Sequence, residues 1–479
     1  MKIVLLSGGS GKRLWPLSND SRSKQFLKVL KSPDGEPESM IQRVWRQLGD
    51  AGLQDDAYIA TGKSQVEILY GQLGSDVRLI AEPSRRDTFP AIALAATYLY
   101  AMEGVSLSET IVVMPVDPYV DGRFFAGLSQ LEKALDASGA DLALIGVQPT
   151  YPSEKYGYIV PGPDGIAGSG GGEAGQEGRE DENQERQGDQ GRPYLTVRGF
   201  REKPAKEEAE AMIAEGALWN CGVFAFKLDF LINILIAHEL PIQHEEMARR
   251  YGSLPQISFD YEVVEKANRI AAVRYDGDWK DLGTWNTLTE EIETPLTGKG
   301  TISAHTRDAH VINELDIPVA VLGLSDVIVA ASPDGILVAD KALSPMVKDL
   351  LKSTDQRPMY EERRWGRYRV LDYAVYPDGR EVLTKRIFIA GGRNLSYQYH
   401  SLRDEVWTVM AGSGTFVLNG KMTAIAAGDV LRIPKESMHS VRAENDLEII
   451  EVQTGTLLIE EDIVRLETAW HEIVELCQT

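Results

Sequence analysis

Short apolar segments alternate with longer helical segments through the first 295 residues of the chain. Runs such as KIVLL, DAYIAT, VRLIAE, TIVVMPV and LALIGV have the length of buried strands, and periodic stretches such as FFAGLSQLEKALDA lie between them. Strands that alternate with helices in this way predict a parallel sheet with helices packed on both faces. The first part of the chain is therefore predicted to be an α/β domain over residues 1–295.

The rest of the chain is rich in short strands. Runs such as VAVLGL and DVIVAAS predict a small β-rich connector over residues 296–355. Over residues 356–479, alternating strands with Gly and Asp at turns predict an antiparallel sandwich or barrel, closed by a short helix in EEDIVRLETAWHEIVEL. Residues 162–193 are rich in Gly, Glu and Gln with almost no apolar side chains, which predicts a disordered surface insertion.

Charge and composition exclude several classes of partner. The 479 residues carry a formal net charge of −22, so the chain lacks the basic surplus that general nucleic-acid or anionic-membrane binding needs. No apolar stretch has the length of a membrane span, and the N-terminal run IVLL is too short for a signal peptide. Cys221 and Cys477 lack metal-ligand spacing, which is typical of reduced thiols. We predict a cytoplasmic protein that binds neither nucleic acid nor membrane.

A glycine-rich loop follows the first predicted strand directly. In LSGGSGKRLWPLS, Gly8, Gly9 and Gly11 let the backbone approach a ligand and direct its amides toward phosphate oxygens. The loop is not a Walker A sequence, because Arg13 stands where that motif has Ser or Thr, and it lacks the last glycine of the dinucleotide fingerprint. Arg13 and the nearby Lys24 favour triphosphate binding over a plain strand-to-helix connection.

The loop resembles the signature of mannose-1-phosphate guanylyltransferases. The likeness is carried by GGSGKRLWPLS and KQFL, and then, in the family's order, by EPSRRDTFPAIALAA, VVMPVD, YGYI, FREKP, WNCGVFAF, FDYEVVEK and WKDLGTW. It covers nearly all of the first 295 residues. It implies a Rossmann-like nucleotidyltransferase domain with a mostly parallel sheet. It also implies transfer of the guanylyl group of GTP to mannose-1-phosphate, with Mg²⁺ assistance, giving GDP-mannose and pyrophosphate.

The resemblance also implies residue roles. Arg13 and Lys24 would neutralise the triphosphate, Lys203 would hold the sugar phosphate, and Asp117 and Asp281 would bind Mg²⁺. The nucleotide-binding candidates are Leu6, Gly8, Gly9, Gly11, Glu82, Arg86 and Thr88. The sugar-binding candidates are Gly157, Glu202, Asn220 and Asp260. Purely structural roles are the alternative for Arg86, Asn220 and Asp260.

Three positions depart from the family's usual residues. Ser23 stands where Pro is usual, Asp87 where Asn is usual, and Pro118 where His is usual. Asp87 adds negative charge near the expected anion site. These changes bear on nucleotide preference more than on the reaction class.

The C-terminal segment contains a second set of candidate ligands. Gln398, His400, Glu405 and His439 fit the spacing of the cupin metal pattern. Residues two apart on a strand face the same side, so Gln398 and His400 can point together into a barrel. Imidazole, carboxylate and amide oxygen suit Zn²⁺, Co²⁺, Mn²⁺ or Fe²⁺. A cupin barrel whose polar residues only satisfy one another is the alternative.

This segment resembles the isomerase half of two-domain proteins that join the guanylyltransferase to a type II mannose-6-phosphate isomerase. RRWGRY, QYHSLRDEVWTVMAG and EVQTG carry the likeness, which implies a jelly-roll cupin domain and a metal-assisted isomerase. Ser401, Leu402 and Val406 stand where the family tends to have His, and ETAWHEIVEL replaces an Asp-x-Tyr-Gly-Arg element. A structural or regulatory remnant is therefore the alternative to an active isomerase.

Three function classes follow from these patterns. The first is a guanylyltransferase for GTP and mannose-1-phosphate, with or without a working isomerase. The second is a nucleotidyltransferase for another nucleotide or sugar-1-phosphate, and the third is a non-catalytic sugar-nucleotide-binding regulatory protein. A homodimer is a further prediction.

Overall fold

The computed structural model describes residues 1–9, 11–162, 194–352, 356–460 and 462–478. The predicted insertion at 162–193 lies, from residue 163 onward, outside the described residues. The chain forms two compact units. The first unit contains Met1–Gly9, Lys28–Val66 and Asp76–Leu282, and the second contains Ser10–Leu27, Glu67–Ser75 and Gly283–Thr479. The predicted domain boundaries at 295 and 355 stay predictions.

The first unit is built on strands that match the apolar runs of the sequence. They are β1 (Lys2–Ser7), β2 (Leu30–Lys31), β3 (Pro37–Glu38), β4 (Ala57–Gly62), β5 (Leu79–Glu82), β6 (Thr110–Pro115), β7 (Pro118–Val120), β8 (Leu142–Val147), β9 (Gly157–Pro161), β10 (Leu195–Glu202), β11 (Leu218–Lys227), β12 (Ile270–Tyr275) and β13 (Trp279–Asp281). Nine of them form one sheet in the order β5-β4-β1-β6-β11-β8-β12-β10-β9.

The nine-stranded sheet contains both parallel and antiparallel strand pairs. β5, β4, β1 and β6 pair in parallel, as do β8 and β12. β11 lies antiparallel between β6 and β8, and β10 pairs antiparallel with both β12 and β9. The predicted α/β fold is thus confirmed, and the two antiparallel strands are the part that apolar periodicity does not reveal.

In the described part of the chain, eight helices accompany these strands, and some of them begin at side-chain caps. They are α1 (Met40–Asp50), α2 (Val66–Leu73), α3 (Thr88–Ala101), α4 (Gly122–Ser138), α5 (Lys206–Ala214), α6 (Leu228–Ala237), α7 (His244–Arg250) and α8 (Phe259–Glu262). Asp121 caps α4 by accepting the Arg123 amide, and Gly139 ends that helix at a φ of 64°. Asp87 caps α3 at a φ of 73°, which gives this departure from the family a structural role.

Helices cover the sheet of the first unit. α3 packs against α6, α7 and α8, and α4 packs on β8 and β12. The core includes Val4, Phe89, Leu94, Leu231 and Phe259, all buried. Among the described residues, no helix combines the length and the apolarity needed to cross a membrane.

The second unit contains the β-rich connector and a jelly-roll sandwich. The connector consists of α9 (Trp285–Thr289), β14 (Leu296–Gly298), β15 (Gly300–Ile302), β16 (His310–Asn313), β17 (Val319–Val321), β18 (Val327–Ser332), β19 (Gly335–Asp340) and α10 (Val347–Leu350). The sandwich consists of β20 (Tyr360–Arg363), β21 (Gly366–Val375), β22 (Glu381–Ile389), β23 (Tyr397–Tyr399), β24 (Arg403–Ala411), β25 (Ser413–Leu418), β26 (Lys421–Ala426), β27 (Val430–Ile433), β28 (His439–Ala443), β29 (Leu447–Gly455), β30 (Val464–Glu467) and α11 (Trp470–Gln478).

Two sheets of the sandwich enclose an apolar core. Their orders are β20-β21-β22-β29-β24-β27 and β26-β25-β28-β23-β30. Leu383, Trp407, Val441 and Ile449 are buried between them. The predicted closing helix is wrong in its first half, because Val464–Glu467 forms β30 and pairs with β23. The segment pairs along the edge of the sheet at β23, and its own sequence does not indicate this pairing.

Candidate functional site

Strands β9, β10 and β11 bring the predicted sugar-binding residues together in the first unit. Gly157 lies opposite Glu202 in one strand pair and opposite Asn220 in another. Asn220 donates its side-chain amide to Asp260 Oδ1 at 2.9 Å. Lys203 directly follows β10, and its Nζ lies 2.5 Å from Glu202 Oε1. We call Glu202, Lys203, Asn220 and Asp260 the polar cluster.

Gly157 is required by close packing beneath the polar cluster. A Cβ atom at this position would lie 2.5 Å from Glu202 Oε2 and 2.7 Å from Phe200 Cζ. Such distances are shorter than any normal contact, so a side chain here would displace Glu202 and, through it, Lys203.

The polar cluster holds a cation against two carboxyl groups. Burial opposes the charge of Lys203, but the hydrogen bond and the charge of Glu202 raise the pKa of this lysine. The Lys203 side chain is about half exposed, at 49%. Burial, together with the negative charge of Glu202, raises the pKa of Asp260 to about 7. The cluster can therefore present an ammonium group to an anionic ligand.

Replacing Asp260 with Asn is expected to flatten the pH dependence of stability. The pKa of Asp260 is about 7 in the folded protein. A carboxyl group of the unfolded chain titrates near ~4. Between these two pKa values the folded protein retains a proton that the unfolded chain has lost. The stability of the folded protein therefore decreases as the pH rises from the lower pKa to the higher one. In urea titrations, the free energy of unfolding of wild type should fall by about 2 kcal/mol relative to that of Asp260→Asn between about pH 5.5 and about pH 8.5. The control is Asp229→Asn, an exposed carboxylate, and parallel pH profiles for wild type and Asp260→Asn would contradict the prediction.

Asp117 and Asp281 lie where two short strands pair. Asp117 directly precedes β7, whose first residue, Pro118, lies opposite Asp281 on β13. Burial and then the charge of Asp281 raise the pKa of Tyr156. Both carboxylates are half-buried, and carboxylate oxygens are the ligands that a divalent cation such as Mg²⁺ prefers.

The candidates at the end of β1 lie in an open stretch of the first unit. Leu6 pairs with Ala60 and Pro115 in the sheet. Gly9 has a φ of 127°, which side chains rarely adopt, and no heavy atom lies within 4 Å of a Cβ built at Gly8 or Gly9. The conformation of Gly9, and not crowding, accounts for the glycine here.

Glu82, Arg86 and Thr88 are engaged with one neighbouring segment. Tyr251 donates its hydroxyl to Glu82 at 2.6 Å, and burial raises the pKa of Glu82. Arg86 donates to the Leu254 carbonyl at 3.1 Å, and Thr88 Oγ1 accepts a backbone N–H of this segment at 2.8 Å. In the structure these three side chains hold the loop between β5 and α3, and their nucleotide-binding roles stay predictions.

Gly11, Arg13 and Lys24 belong to the second unit. Gly11 and Arg13 lie in a 3-10 turn, Gly11–Leu14, and Lys24 begins another, Lys24–Phe26. Arg13 is exposed, whereas Lys24 is half-buried. The intervening residues 15–22, which we call the anchor segment, are tied to the connector and to the start of the sandwich.

Arg22 is the centre of the anchor segment. Its Nη1 lies 3.0 Å from both carboxylate oxygens of Glu314, and its Nε lies 3.6 Å from Glu362. The guanidinium also lies 5.0 Å from the ring centre of Tyr360. Asn19 donates to Asp334 at 2.9 Å. Sequence reasoning missed Arg22, because its partner is 292 positions away and no local pattern marks it.

In the sandwich, His400, Glu405 and His439 form a compact buried group. One ligand atom from each residue lies within 4.8 Å of those of the other two. Nε2 of His400 is 3.2 Å from Glu405 Oε1, and Nε2 of His439 is 3.6 Å from Glu405 Oε2. We call these three residues the cupin triad.

The hydrogen bonds around the cupin triad orient its imidazoles as ligands. Nδ1 of His400 lies 2.5 Å from the Asp462 carbonyl, and Nδ1 of His439 lies 2.9 Å from the Ser437 carbonyl. Both Nε2 atoms are thereby left as acceptors, and His439 Nε2 is buried without a hydrogen-bond partner. Burial lowers the pKa of His400 to about 4 and also lowers that of His439. Neutral imidazoles whose Nε2 atoms lie near Glu405 fit a transition-metal ion.

Gln398 is placed beside the cupin triad, but its amide nitrogen faces it. Gln398 Nε2 lies 3.4 Å from His400 Nε2, and the amide oxygen accepts a hydrogen bond from Ser396 at 2.6 Å. A half-turn of the amide would bring the oxygen to the same place. The role of Gln398 as a fourth ligand stays a prediction.

The histidines that the family pattern lacks here would not have joined the cupin triad. Leu402 and Val406 are exposed, whereas Arg403, Glu405 and Trp407 on the same strand are buried. Arg403 donates to Glu405 at 2.9 Å, and Trp407 donates to it at 3.2 Å. Sequence reasoning missed these two partners, although the period of two along β24 places them on the face of Glu405.

Replacing His439 with Gln is expected to reduce the Zn²⁺ retained by the protein roughly tenfold or more, because one of three ligands is lost. Metal content is measured by mass spectrometry after incubation with Zn²⁺ and gel filtration. Added Zn²⁺ should also raise the thermal unfolding midpoint of wild type but not of the variant. The matched control is His471→Gln, whose side chain is 78% exposed. Equal zinc retention by His439→Gln and wild type would contradict a metal site at the cupin triad.

Comparisons with known proteins match both parts of the chain. The nucleotidyl transferase family model matches residues 2–297, and a model described as mannose-6-phosphate isomerase C-terminal matches residues 352–468.

A mannose-1-phosphate guanylyltransferase of Salmonella montevideo is 28% identical, over 96% of this chain and 98% of the relative. The alginate biosynthesis protein AlgA of Pseudomonas aeruginosa is 28% identical, over 98% of this chain and 97% of the relative. A crystal structure titled mannose-1-phosphate geranyltransferase, from Thermus thermophilus, is 29% identical, covers 74% of this chain and 98% of its own, and has a TM-score of 0.56.

Proposed function

Because this chain belongs to the nucleotidyl transferase family, we propose that it makes GDP-mannose from GTP and mannose-1-phosphate. A phosphate oxygen of mannose-1-phosphate attacks the α-phosphorus of GTP, and the bond to the bridging oxygen of pyrophosphate breaks. Both substrates are anions, so catalysis depends on positioning and on charge neutralisation. The proposal places the reaction in the cytoplasm.

Each candidate residue has a proposed task in this reaction. Lys203 binds the phosphate of the sugar, and Asn220 and Asp260 bind its hydroxyl groups. Arg13 and Lys24 neutralise the triphosphate and the departing pyrophosphate. Asp117 and Asp281 would hold Mg²⁺, which when bound supplies charge neutralisation between phosphate oxygens.

The polar cluster is the observation that carries this proposal. A half-exposed ammonium group is held by Glu202 at 2.5 Å, next to amide and carboxyl groups that suit sugar hydroxyls. The cluster arises from residues that the sequence places in three separate family segments. A regulatory protein without catalysis would not need two proposed Mg²⁺ ligands, Asp281 and the Asp117 that precedes its pairing partner Pro118.

The second candidate function is isomerisation of mannose-6-phosphate in the sandwich. The intact cupin triad favours it, because Leu402 and Val406 leave the buried face of β24 unchanged. A metal at the cupin triad would polarise the sugar carbonyl, and Glu405, hydrogen-bonded by Arg403, stays ionised to bind it.

The test is pyrophosphate release from a panel of nucleoside triphosphates and sugar-1-phosphates with Mg²⁺. We expect turnover with GTP and mannose-1-phosphate, reduced about thirtyfold in Lys24→Ala, because one charge-assisted contact to the triphosphate is lost. Lys28→Ala, an exposed lysine nearby in sequence, is the matched control. Formation of mannose-6-phosphate from fructose-6-phosphate, with Zn²⁺, Co²⁺ or Mn²⁺, tests the second function separately.

The panel distinguishes the competing functions. Turnover with another pair of substrates would keep the reaction class and replace the substrates. No turnover with any pair would favour a non-catalytic sugar-nucleotide-binding protein. Equal turnover by Lys24→Ala and wild type would remove Lys24 from the site.

A further inference from the structure

A tight turn of the connector contacts the anchor segment. It joins β18 to β19 through residues 332–335, which read Ser-Pro-Asp-Gly, and we call it the connector turn. Ser332 Oγ donates to the Pro16 carbonyl at 2.6 Å and accepts the backbone N–H of Asp334 at 3.1 Å. Ser332 and Pro16 are both buried. A buried carbonyl that loses its donor is costly, so this bond fixes the start of the anchor segment.

Asp334 holds the middle of the anchor segment. Its Oδ2 accepts the side-chain amide of Asn19 at 2.9 Å, and its Oδ1 accepts the Met359 N–H at 2.7 Å. Asn19 Oδ1 in turn accepts the N–H groups of Ser21 and Arg22, at 2.9 Å and 2.7 Å. The Asp334 side chain is buried. Its carboxylate therefore sets the orientation of the Asn19 amide, whose oxygen shapes the bend of the anchor segment.

Gly335 leaves room for the first side chain of the anchor segment. A Cβ atom built on Gly335 would lie 2.8 Å from Cη2 of the Trp15 indole, and still closer to its Cζ2. The Trp15 carbonyl accepts the indole N–H of Trp285 at 3.1 Å, and Trp285 is fully buried. The connector therefore restrains both the ring and the backbone of Trp15.

The restrained residues lie between Arg13 and Lys24. The turn Gly11–Leu14, which carries Arg13, is joined to the anchor segment by a backbone bond, because the Leu14 carbonyl accepts the Leu17 N–H at 3.0 Å. Helix α10 of the connector also packs against this turn. Arg13 itself is exposed. The connector thus fixes the backbone from which Arg13 extends and leaves its guanidinium accessible.

We propose that Ser332 and Asp334 are positioning residues for GTP binding, which hold the anchor segment in the conformation that presents Arg13 and Lys24 to the triphosphate. A loop that is ordered before its ligand arrives does not lose conformational entropy on binding, so its affinity is higher. Its geometry also decides whether the cations reach phosphate oxygens, and a shift of about 1 Å has large effects. This role rests on the proposed guanylyltransferase function and adds residues of the connector to it.

An exchange of two side chains tests this role in the full-length protein. Asp334→Asn leaves one oxygen for two donors, and Asn19→Asp places two carboxylates together, so each is expected to raise the KM for GTP about tenfold. The double variant Asn19→Asp/Asp334→Asn restores the bond with donor and acceptor exchanged. Its KM for GTP should return to within about threefold of wild type, and the KM for mannose-1-phosphate should stay within about twofold in all three variants.

The matched control is Asp378→Asn in a second Pro-Asp-Gly turn, residues 377–379, between β21 and β22. Asp378 is 66% exposed, and its Oδ1 accepts the backbone N–H of Arg380 at 3.0 Å. Its replacement should change the KM for GTP by less than about twofold. Ser332→Ala removes the donor to the Pro16 carbonyl and should raise the KM for GTP as Asp334→Asn does.

Three results would overturn the positioning role. They are an unchanged KM for GTP in folded Asp334→Asn, no recovery in the double variant, and an equal rise in the KM for mannose-1-phosphate, which would indicate general damage. Circular dichroism melts verify that each variant is folded.

Failure of the proposed function gives a different result. If the panel of substrates identifies another nucleotide, the same pattern in the KM for that nucleotide would still support the positioning role. If wild type turns over no pair of substrates, calorimetric titration with GTP and Mg²⁺ gives the same comparison as dissociation constants. A wild type that does not bind GTP would overturn both proposals.

Discussion

Replacing Gly157 with Ala is expected to lower GDP-mannose formation at limiting mannose-1-phosphate about a hundredfold, because displacement of a binding group by about 1 Å has effects of this size. The added methyl group would lie 2.5 Å from Glu202 Oε2. Glu202 must then move, and Lys203, which it holds at 2.5 Å, moves with it. The effect should fall on the KM for mannose-1-phosphate, measured by pyrophosphate release at saturating GTP.

The control for this variant lies on the neighbouring strand. Gly199→Ala adds the same methyl group on β10, where no heavy atom lies within 4 Å of the new Cβ. Its KM should stay within about twofold of wild type, because surface changes of this kind have small effects. Thermal melts must show that Gly157→Ala is folded. A folded Gly157→Ala with the wild-type KM would remove the polar cluster from the sugar site.

Replacing Arg22 with Met is expected to lower the free energy of unfolding of the second unit by about 2–3 kcal/mol, because it removes a buried guanidinium and its charge-assisted hydrogen bonds to Glu314. Arg22 is only 8% exposed, and it lies 3.0 Å from Glu314 and 3.6 Å from Glu362. The anchor segment joins the turns that carry Arg13 and Lys24. We therefore also expect a KM for GTP at least about tenfold higher. Urea titration and initial rates measure the two effects.

Two further variants separate the buried charge from surface charge. Arg269→Met removes an ion pair with Asp141 in which the arginine is 68% exposed, and it should change stability by less than about 1 kcal/mol. The double variant Arg22→Met/Glu314→Gln should recover part of the loss, because one orphaned charge is removed. A change below about 1 kcal/mol in Arg22→Met would show that the anchor segment does not depend on this arginine.

Short-range apolar patterns in the sequence predicted the strands that are buried on one face or on both faces. KIVLL, TIVVMPV and LALIGV are strands because a continuous apolar run of this length is stable only when the sheet buries it. The cupin spacing of Gln398, His400, Glu405 and His439 predicted the cupin triad, although only Gln398 and His400 are related by the period of two. VRLE, by contrast, was predicted as helix and forms β30, because pairing with β23 outweighed a weak local preference.

The sequence by itself determined the strands and helices with strong apolar periodicity, and which side chains can act as ligands or cations, since both depend on residue type and short-range pattern. Only the tertiary structure decided which of these side chains meet. It joined Arg22 to Glu314 across 292 positions, placed Asp281 opposite Pro118, the residue after Asp117, and brought Glu67 to Arg364 at the start of the sandwich. Such contacts depend on sheet order and helix packing, which are set by the burial of the whole core and leave no trace in any short stretch of the chain.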